Sequence, residues 1–111
     1  LMNFKTKDSD LFMLITTLED KFISDKISRK ILESKLAACI SSQQVYSEYW
    51  WEGEINSSKE FKLIMKTNKF NLQNLIDKIM ELHPYDQPEI IYWPISSSKG
   101  YSSWLNDSCN C

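Results

Sequence analysis

The chain has 111 residues, and its 13 Lys and Arg residues against 15 Asp and Glu residues give a formal net charge of −2. This length supports a single domain, and the near balance of charge gives no reason to expect a nucleic-acid partner. No apolar run approaches the roughly 20 residues that cross a bilayer, and the polar first ten residues do not resemble a signal peptide, so no membrane partner is expected.

The first predicted elements are a strand and an amphipathic helix. Residues 11–18 form a near-continuous apolar run, which predicts a central strand covered on at least one face. Asp20 is placed to cap the following helix, because its carboxylate can accept from the first free N–H groups. Helical spacing predicts one buried stripe that comprises Ile23, Ile27, Ile31, Leu32 and Leu36.

A long hairpin is predicted in the middle of the chain. Residues 38–52 and 54–67 have strand composition, and Gly53 between two glutamates suits a tight reversal. The polar run Asn56-Ser57-Ser58 predicts a bulge in the return strand. These strands exceed the usual length of about five or six residues, so we expect the hairpin to bend or to pair beyond its own sheet.

A second helix, a fourth strand and a short final helix follow. Asn71 begins the second helix, and Pro84 ends it because the residue before a proline avoids the α conformation. The apolar face of this helix comprises Leu72, Leu75, Ile76, Ile79 and Met80. The prolines around residues 88–95 predict an edge strand there, and Gly100 is expected to precede the final helix.

The resulting order is β-α-β-β-α-β with a helical tail, the ferredoxin-like order of an α+β domain. We expect a flexible segment at residues 1–10, one domain over residues 11–107 and a tail at residues 108–111. A four-stranded sheet with both main helices on one side leaves its other side bare. A chain with 13% aromatic residues is not expected to expose that side to water, so oligomerisation is predicted.

Several short motifs together resemble one family. They are Leu36-Ala37-Ala38-Cys39, Tyr49-Trp50-Trp51-Glu52-Gly53-Glu54-Ile55, Lys66-Thr67, His83-Pro84-Tyr85-Asp86, Pro88-Glu89-Ile90-Ile91, Pro94-Ile95, and Tyr101 with Trp104-Leu105. In this order and spacing they resemble the CutA family of divalent-cation tolerance proteins. The chain departs from the usual family pattern at Glu19, where proline is common, and at Gln43-Gln44, where Pro-Gly is common.

The resemblance implies a ferredoxin-like protomer in a tight homotrimer, similar in architecture to PII signalling proteins, with each long hairpin paired to a neighbour. It also implies a non-enzymatic, cytoplasmic protein for divalent-cation tolerance that binds copper or another divalent cation and requires no cofactor. No phosphate-binding loop or nucleophile–base pair is recognisable, so no catalytic residue is predicted. Two alternatives stay open: a PII-like signalling or adaptor protein that binds a small metabolite, and a structural trimer that anchors a partner protein.

Three residues are candidate metal ligands, namely His83, Glu89 and Cys39. Imidazole suits copper and zinc, but the single histidine needs further ligands, which Glu89 or Cys39 of another subunit could supply. The alternative for His83 is a helix-ending residue whose ring bonds the backbone, and for Cys39 it is an inert buried thiol. Three cysteines, an odd count, argue against a disulfide framework and favour a reducing compartment. Cys109 and Cys111 form either a Cu(I) chelate or a disordered end.

A cleft between subunits is predicted from the other residues of the motifs, Trp51, Glu52, Lys66, Tyr85 and Asp86. Lys66 would oppose the acids and the aromatics would form walls, giving a site for a cation or a small anionic ligand. The alternative is that these residues only hold the trimer together. Trp and Tyr dominate interface energetics. The expected interface anchors are Tyr49, Trp50, Trp51 and Trp93.

Overall fold

The computed structural model describes residues 10–111, which form four strands and three helices. They are β1 (Leu11–Leu18), α1 (Lys21–Glu33), β2 (Cys39–Trp51), β3 (Glu54–Asn68), α2 (Leu72–Leu82), β4 (Ile91–Ile95) and α3 (Lys99–Ser108). The predicted α+β class and ferredoxin-like order are confirmed. None of these three helices is long and apolar enough to span a membrane. Except for Asp10, the predicted N-terminal segment lies outside the described residues.

The four strands form one antiparallel sheet in the order β2-β3-β1-β4. The central strand β1 pairs with β3 along its whole length and with β4 from Leu11↔Ile95 to Ile15↔Ile91. β4 is therefore an edge strand, as predicted. It begins at Ile91 and not at Pro88, because its ladder with β1 ends there and Pro88 has no N–H to donate.

The strands β2 and β3 form a hairpin in one continuous register. The ladder runs from Cys39↔Lys66 to Trp51↔Glu54, and each residue faces one partner. The prediction of a bulge at residues 56–58 is therefore wrong. Polar side chains do not interrupt the ladder here, because the strand pairing is made by backbone groups and the side chains remain free to bond elsewhere.

Two residues with positive φ form the turn of the hairpin. Glu52 has a φ of 52° and Gly53 a φ of 79°, the combination that a type I′ turn requires. The Asn56 side-chain amide donates to the carbonyl oxygens of Trp51 and Glu54, both at 3.1 Å. Asn56, which was expected to interrupt the return strand, instead stabilises the turn through these two hydrogen bonds.

The hairpin extends past the rest of the sheet as a two-stranded ribbon, defined here as residues 45–60. β1 ends at Leu18, which pairs with Phe61, so no third strand from residues 10–111 joins the ribbon. Its seven residue pairs span about 20 Å. This projection explains why the molecule measures 50 Å along its longest axis against 30 and 21 Å along the others.

The helices α1 and α2 pack on one side of the sheet, as predicted. The core there comprises Leu14, Leu18, Ile27, Ile31, Leu36, Ala37, Leu63, Met65, Leu75 and Ile79. The Asp20 carboxylate accepts from the Ile23 N–H at 3.0 Å and caps α1, as expected. Leu32 and Met80 are exposed, contrary to prediction, because each lies at the margin of its helix stripe; on α1 the small Ser24 is buried instead.

The other side of the sheet is partly covered by α3. Leu105 packs against Leu11 and Cys109 in a second, smaller core. α3 includes Gly100, which was expected to precede it. The remaining part of this side is defined here as the open face. Its apolar residues, none of them fully buried, are Met13, Ile15, Ile64, Ile91 and Trp93.

The C-terminal residues are docked and do not form the disordered end that was one of the expectations. The backbone N–H of Asn110 donates to the Lys35 carbonyl at 3.0 Å, and its side-chain amide donates to the Ser34 carbonyl at 2.8 Å. Cys109 is only 4% exposed, and burial raises the pKa of its thiol. Cys111 is exposed, so the two thiols lie in different surroundings.

Candidate functional site

A cleft of about 650 Å³ lies where the ribbon meets the end of β1 and the segment that follows α2. This volume is within the range of small-molecule sites. Its lining residues are Thr17, Glu19, Ser47, Glu48, Tyr49, Trp51, Glu60, Tyr85, Asp86, Gln87 and Glu89.

Strand alternation explains how three strands contribute to one cleft. Successive residues of a strand point to opposite faces, so Thr17 points away from the helices because its neighbour Leu18 belongs to the core. By the same count Glu60 points away from the helices, since Leu63 of the same strand is in the core. Val45 pairs with Glu60, and the residues of β2 that share its face are Ser47, Tyr49 and Trp51.

The wall of the cleft is acidic. Five acidic residues line it, namely Glu19, Glu48, Glu60, Asp86 and Glu89, although strand alternation places the Glu48 side chain on the ribbon face opposite that of Ser47 and Tyr49. Among the described residues that line the cleft there is no Lys, Arg or His. A concave wall with one sign of charge attracts ligands of the opposite sign, so this cleft favours cations over anions.

Glu60 is the buried acid of the cleft. Glu60 is only 7% exposed, and its Oε2 accepts a hydrogen bond from the Tyr85 hydroxyl at 3.1 Å. Burial and the neighbouring Glu60 raise the pKa of the Tyr85 phenol, which therefore remains a donor. No ion pair involves Glu60 within residues 10–111, although buried carboxylates are usually paired.

His83 holds the segment after α2 against β1. Its Nε2 lies 2.9 Å from the Thr17 carbonyl oxygen, which can only accept, so Nε2 carries the hydrogen. Its Nδ1 accepts from the Tyr85 N–H at 3.1 Å. Burial lowers the pKa of His83, against the opposing effects of the Thr17 carbonyl and Glu60. The neutral ring thereby positions Tyr85 beside Glu60.

The three predicted metal ligands do not meet in one protomer. Glu89 lines the cleft, whereas His83 lies behind the wall with both ring nitrogens in hydrogen bonds. Cys39 is partly exposed, not buried as one expectation had it, and pairs with Lys66 roughly 16 Å from Thr17 by strand geometry. Across the described range, no three His, Cys, Asp or Glu side chains form a group that could hold a metal ion.

Of the five residues predicted to form the cleft, three line it, namely Trp51, Tyr85 and Asp86. Glu52 lies in the turn at the ribbon tip instead. Lys66 lies beneath α3, where its Nζ donates to the Tyr101 hydroxyl at 3.2 Å and sits 5.4 Å from the ring centroid. Lys66 is therefore not the opposing charge within this protomer, and its predicted place in a cleft between subunits stays a prediction.

The predicted interface anchors are exposed in the protomer; they are Tyr49, Trp50, Trp51 and Trp93. Trp50 is 72% exposed and Trp51 is 59% exposed. Alternation places them on opposite faces of the ribbon, with Tyr46 and Ile55 on the face of Trp50. The ribbon therefore carries large apolar side chains on both faces, which a lone protomer does not cover.

The cleft residues that were not predicted from the sequence include Thr17, Glu19, Glu48 and Glu60. Glu60 could have been placed opposite Val45 by counting back from the turn. Its burial could not have been found this way, because it depends on Tyr85, which is 25 positions away in the chain. Glu19 was noticed only as a departure from proline.

Comparisons with known proteins agree on one family. Residues 12–108 match the model of the CutA1 divalent ion tolerance protein. The divalent-cation tolerance protein CutA of Thermotoga maritima is 32% identical over 99 residues, which cover 88% of this chain and 98% of that protein. The structure of CutA from Synechococcus elongatus has a TM-score of 0.90 and 32% identity over 96% of both chains. A periplasmic divalent cation tolerance protein CutA from Archaeoglobus fulgidus has a TM-score of 0.85 and 29% identity, covering 88% of this chain and 97% of that one.

Proposed function

This chain belongs to the CutA1 divalent ion tolerance protein family, and on that premise we propose that it is a non-enzymatic homotrimer that binds divalent cations in the acidic cleft. The binding would contribute to metal tolerance. The observation that carries this proposal is the wall with five acidic residues, without a Lys, Arg or His among the described residues that form it. Such a wall lowers the energy of a cation and raises that of an anion.

Copper is the divalent ion we expect to bind most tightly. Affinity at sites with nitrogen and oxygen ligands rises toward Cu(II) among the first-row divalent ions, whichever side chains supply those ligands. Because residues 10–111 hold no ready group of three ligands, one protomer supplies one or two carboxylates and water or a neighbour completes the shell. We therefore expect an open, partly hydrated site, not a closed structural one.

The proposed trimer is supported by the ribbon and the open face. A free two-stranded hairpin is only marginally stable in water, and this one carries exposed aromatics on both faces. Two free edges, on β2 and β4, offer further pairing sites. Three protomers in a closed ring would cover both features at once.

Calorimetric titration of the reduced protein with Cu(II) and Zn(II), after its trimeric mass has been confirmed, tests the proposal. We expect saturable heat with a dissociation constant of micromolar or tighter, about −8 kcal/mol. Glu89→Gln should weaken binding, whereas Glu33→Gln makes the same charge change on an exposed helix end and should not. An absence of saturable heat in the trimeric wild type would overturn the proposal.

Two further variants test the predicted ligands that lie outside the wall. We do not expect His83 to ligate Cu(II), because both ring nitrogens already have hydrogen-bond partners, so the electron paramagnetic resonance spectrum of bound Cu(II) should show no loss of a nitrogen ligand in His83→Ala. We expect Cys39→Ser, which lies at the far end of β2, to leave the same spectrum unchanged. A change of ligand type in either spectrum would instead add that residue to the ligand set.

A second candidate function, small-metabolite binding of the PII-like kind, is favoured by the cleft volume of about 650 Å³, which is large for one ion.

We also propose that the protein is located in the cytosol. Its three cysteines are free in the structure, and free thiols are typical of a reducing compartment. The Archaeoglobus fulgidus relative is described as periplasmic, so fractionation of the native cell is the direct measurement.

A further inference from the structure

We infer that the cleft binds an aliphatic organic cation with two or more ammonium groups, of the diamine or polyamine class. The inference deepens the proposed function and rests on it in one respect, which is that the occupant of the cleft is a cation.

The cleft is larger than one hydrated metal ion requires, and its negative charges are spread out. If each water takes about 30 Å³, an ion with six waters fills roughly 200 Å³. The cleft measures about 650 Å³. Its carboxylates are also dispersed, since no group of three metal-ligating side chains forms anywhere in the described part of the chain. Separated negative charges suit separated positive charges on one molecule.

The walls of the cleft combine acidic residues with aromatic ones. Besides the acids, three aromatic residues line the cleft, namely Tyr49, Trp51 and Tyr85. An ammonium group is attracted to an aromatic face by the ring quadrupole, and methylene groups pack on the same surface. A chain of methylenes that ends in ammonium groups matches both parts of this wall, whereas a bare metal ion leaves the rings unused.

Two largely buried residues of the cleft have a side-chain oxygen that accepts no hydrogen bond from a described residue, which is an independent indication of a ligand. Thr17 is only 6% exposed and lines the cleft, yet its hydroxyl forms no hydrogen bond with residues 10–111. Glu60 receives one bond, from Tyr85 to Oε2, and its Oε1 has no partner within the same range. Lys62, which pairs with Thr17 across the strands, neither lines the cleft nor forms an ion pair with a described residue. An ammonium group has three donors to offer these oxygens.

Calorimetry with three matched probes tests the charge requirement. Cadaverine, pentylamine and 1,5-pentanediol share a five-carbon chain and carry two, one and no ammonium groups. We expect the oligomeric wild-type protein to bind cadaverine saturably, pentylamine roughly tenfold more weakly and the diol undetectably, because each charged contact contributes about one power of ten. Added salt should weaken cadaverine binding. Equal binding of cadaverine and the diol would overturn the inference.

Glu60→Gln is the decisive variant. Its amide oxygen can still accept from Tyr85, but one negative charge is lost, so cadaverine affinity should fall roughly tenfold or more. Glu33→Gln makes the same change of charge outside the cleft and should leave the affinity unchanged. Thr17→Val removes no hydrogen bond made to a described residue, so it is expected to fold and to bind cadaverine several-fold more weakly even if Glu60→Gln is unstable. Unchanged affinity in a folded Glu60→Gln or Thr17→Val variant would overturn the inference.

Parallel titrations with cadaverine and Cu(II) separate this inference from the proposed function. Binding of Cu(II) without cadaverine would overturn the inference and leave the proposed function standing. Binding of cadaverine without Cu(II) would support the inference and overturn divalent-cation binding. If both bind and each displaces the other, one cleft serves both cations and both proposals are supported.

Discussion

The His83 imidazole lies between two backbone groups that demand one tautomer. Thr17 supplies a carbonyl oxygen at 2.9 Å to Nε2, and Tyr85 supplies an N–H at 3.1 Å to Nδ1. A proton added at Nδ1 destroys the acceptor for Tyr85 and places a charge in a residue that is 7% exposed. Since Tyr85 also bonds Glu60, the protonation state of one ring affects the wall of the cleft.

The pH dependence of stability should report this ring. The pKa of His83 in the folded protein is lowered from 6.5, so below pH 6.5 the unfolded chain binds more protons than the folded one. Its contribution is therefore complete above pH 6.5 and is lost as the pH falls. We expect this loss to lower the wild-type Tm as the pH falls below about 6.5, and to lower the Tm of His83→Gln less. Parallel curves for the two proteins would contradict this assignment.

Two buried threonines on adjacent strands allow a matched test of a hydroxyl with hydrogen-bond partners against one without. The Thr67 hydroxyl donates to the Leu36 carbonyl at 2.7 Å, whereas the equally buried Thr16 hydroxyl has no partner among the described residues. Thr67→Val should lower the free energy of unfolding by about 1–3 kcal/mol, and Thr16→Val should be neutral or stabilising. Denaturant unfolding of both variants measures the difference, and equal losses would show that the bond to Leu36 contributes nothing specific.

At the scale of the element, the β2–β3 hairpin has two different parts. Residues 39–44 and 61–66 pair within the four-stranded sheet, above the core. The ribbon beyond them has aromatic side chains on both faces and the acidic cleft at its base. The type I′ turn at Glu52 and Gly53 sets the register of both parts, because each step along one strand is matched by one step along the other.

The ribbon should therefore depend on neighbouring protomers. Trp51→Ala is expected to weaken the proposed trimer by about 3–5 kcal/mol, the usual loss for truncating a buried aromatic residue. Phe22→Ala removes an aromatic of similar exposure from α1, outside the ribbon, and should leave assembly unchanged. Light scattering across a dilution series gives the mass of each variant. A Trp51→Ala protein that keeps the wild-type mass and Tm would sink this prediction.

At the scale of the whole molecule, one protomer leaves three features unfinished. They are the ribbon, the apolar part of the open face, and the two strand edges on β2 and β4. Helices cover only one side of the sheet fully, and α3 covers one end of the other. The unfinished features lie on the sheet and its extension, so assembly through these surfaces would complete the core on the second side.

Assembly of this kind makes stability depend on concentration. When folding and association are coupled, the Tm rises with protein concentration, because mass action favours the oligomer. We expect this rise for the wild type and a smaller one for Trp51→Ala. A Tm that does not change over a hundredfold dilution would mean that the protomer is stable alone, and the exposed aromatics would then need another partner.

The sequence by itself determined the elements and their order. The apolar run of β1, the Asp20 cap, the two helix stripes and the turn at Gly53 all depend on residues within a few positions of one another. The spacing of side chains along the chain is enough to predict features of this kind. It was less reliable at the margins: Leu32 and Met80 match the helical period yet are exposed, and the polar residues 56–58 do not break their strand.

Only the tertiary structure decided which residues share a site. It brought Glu60 to Tyr85 and Thr17 to His83, contacts that join residues 25 and 66 positions apart. Within one protomer it also placed Lys66, predicted as a cleft residue, and Cys39, predicted as a metal ligand, outside the cleft. Burial, tautomer and charge balance depend on what the folded chain places next to each group, and no local pattern carries that information.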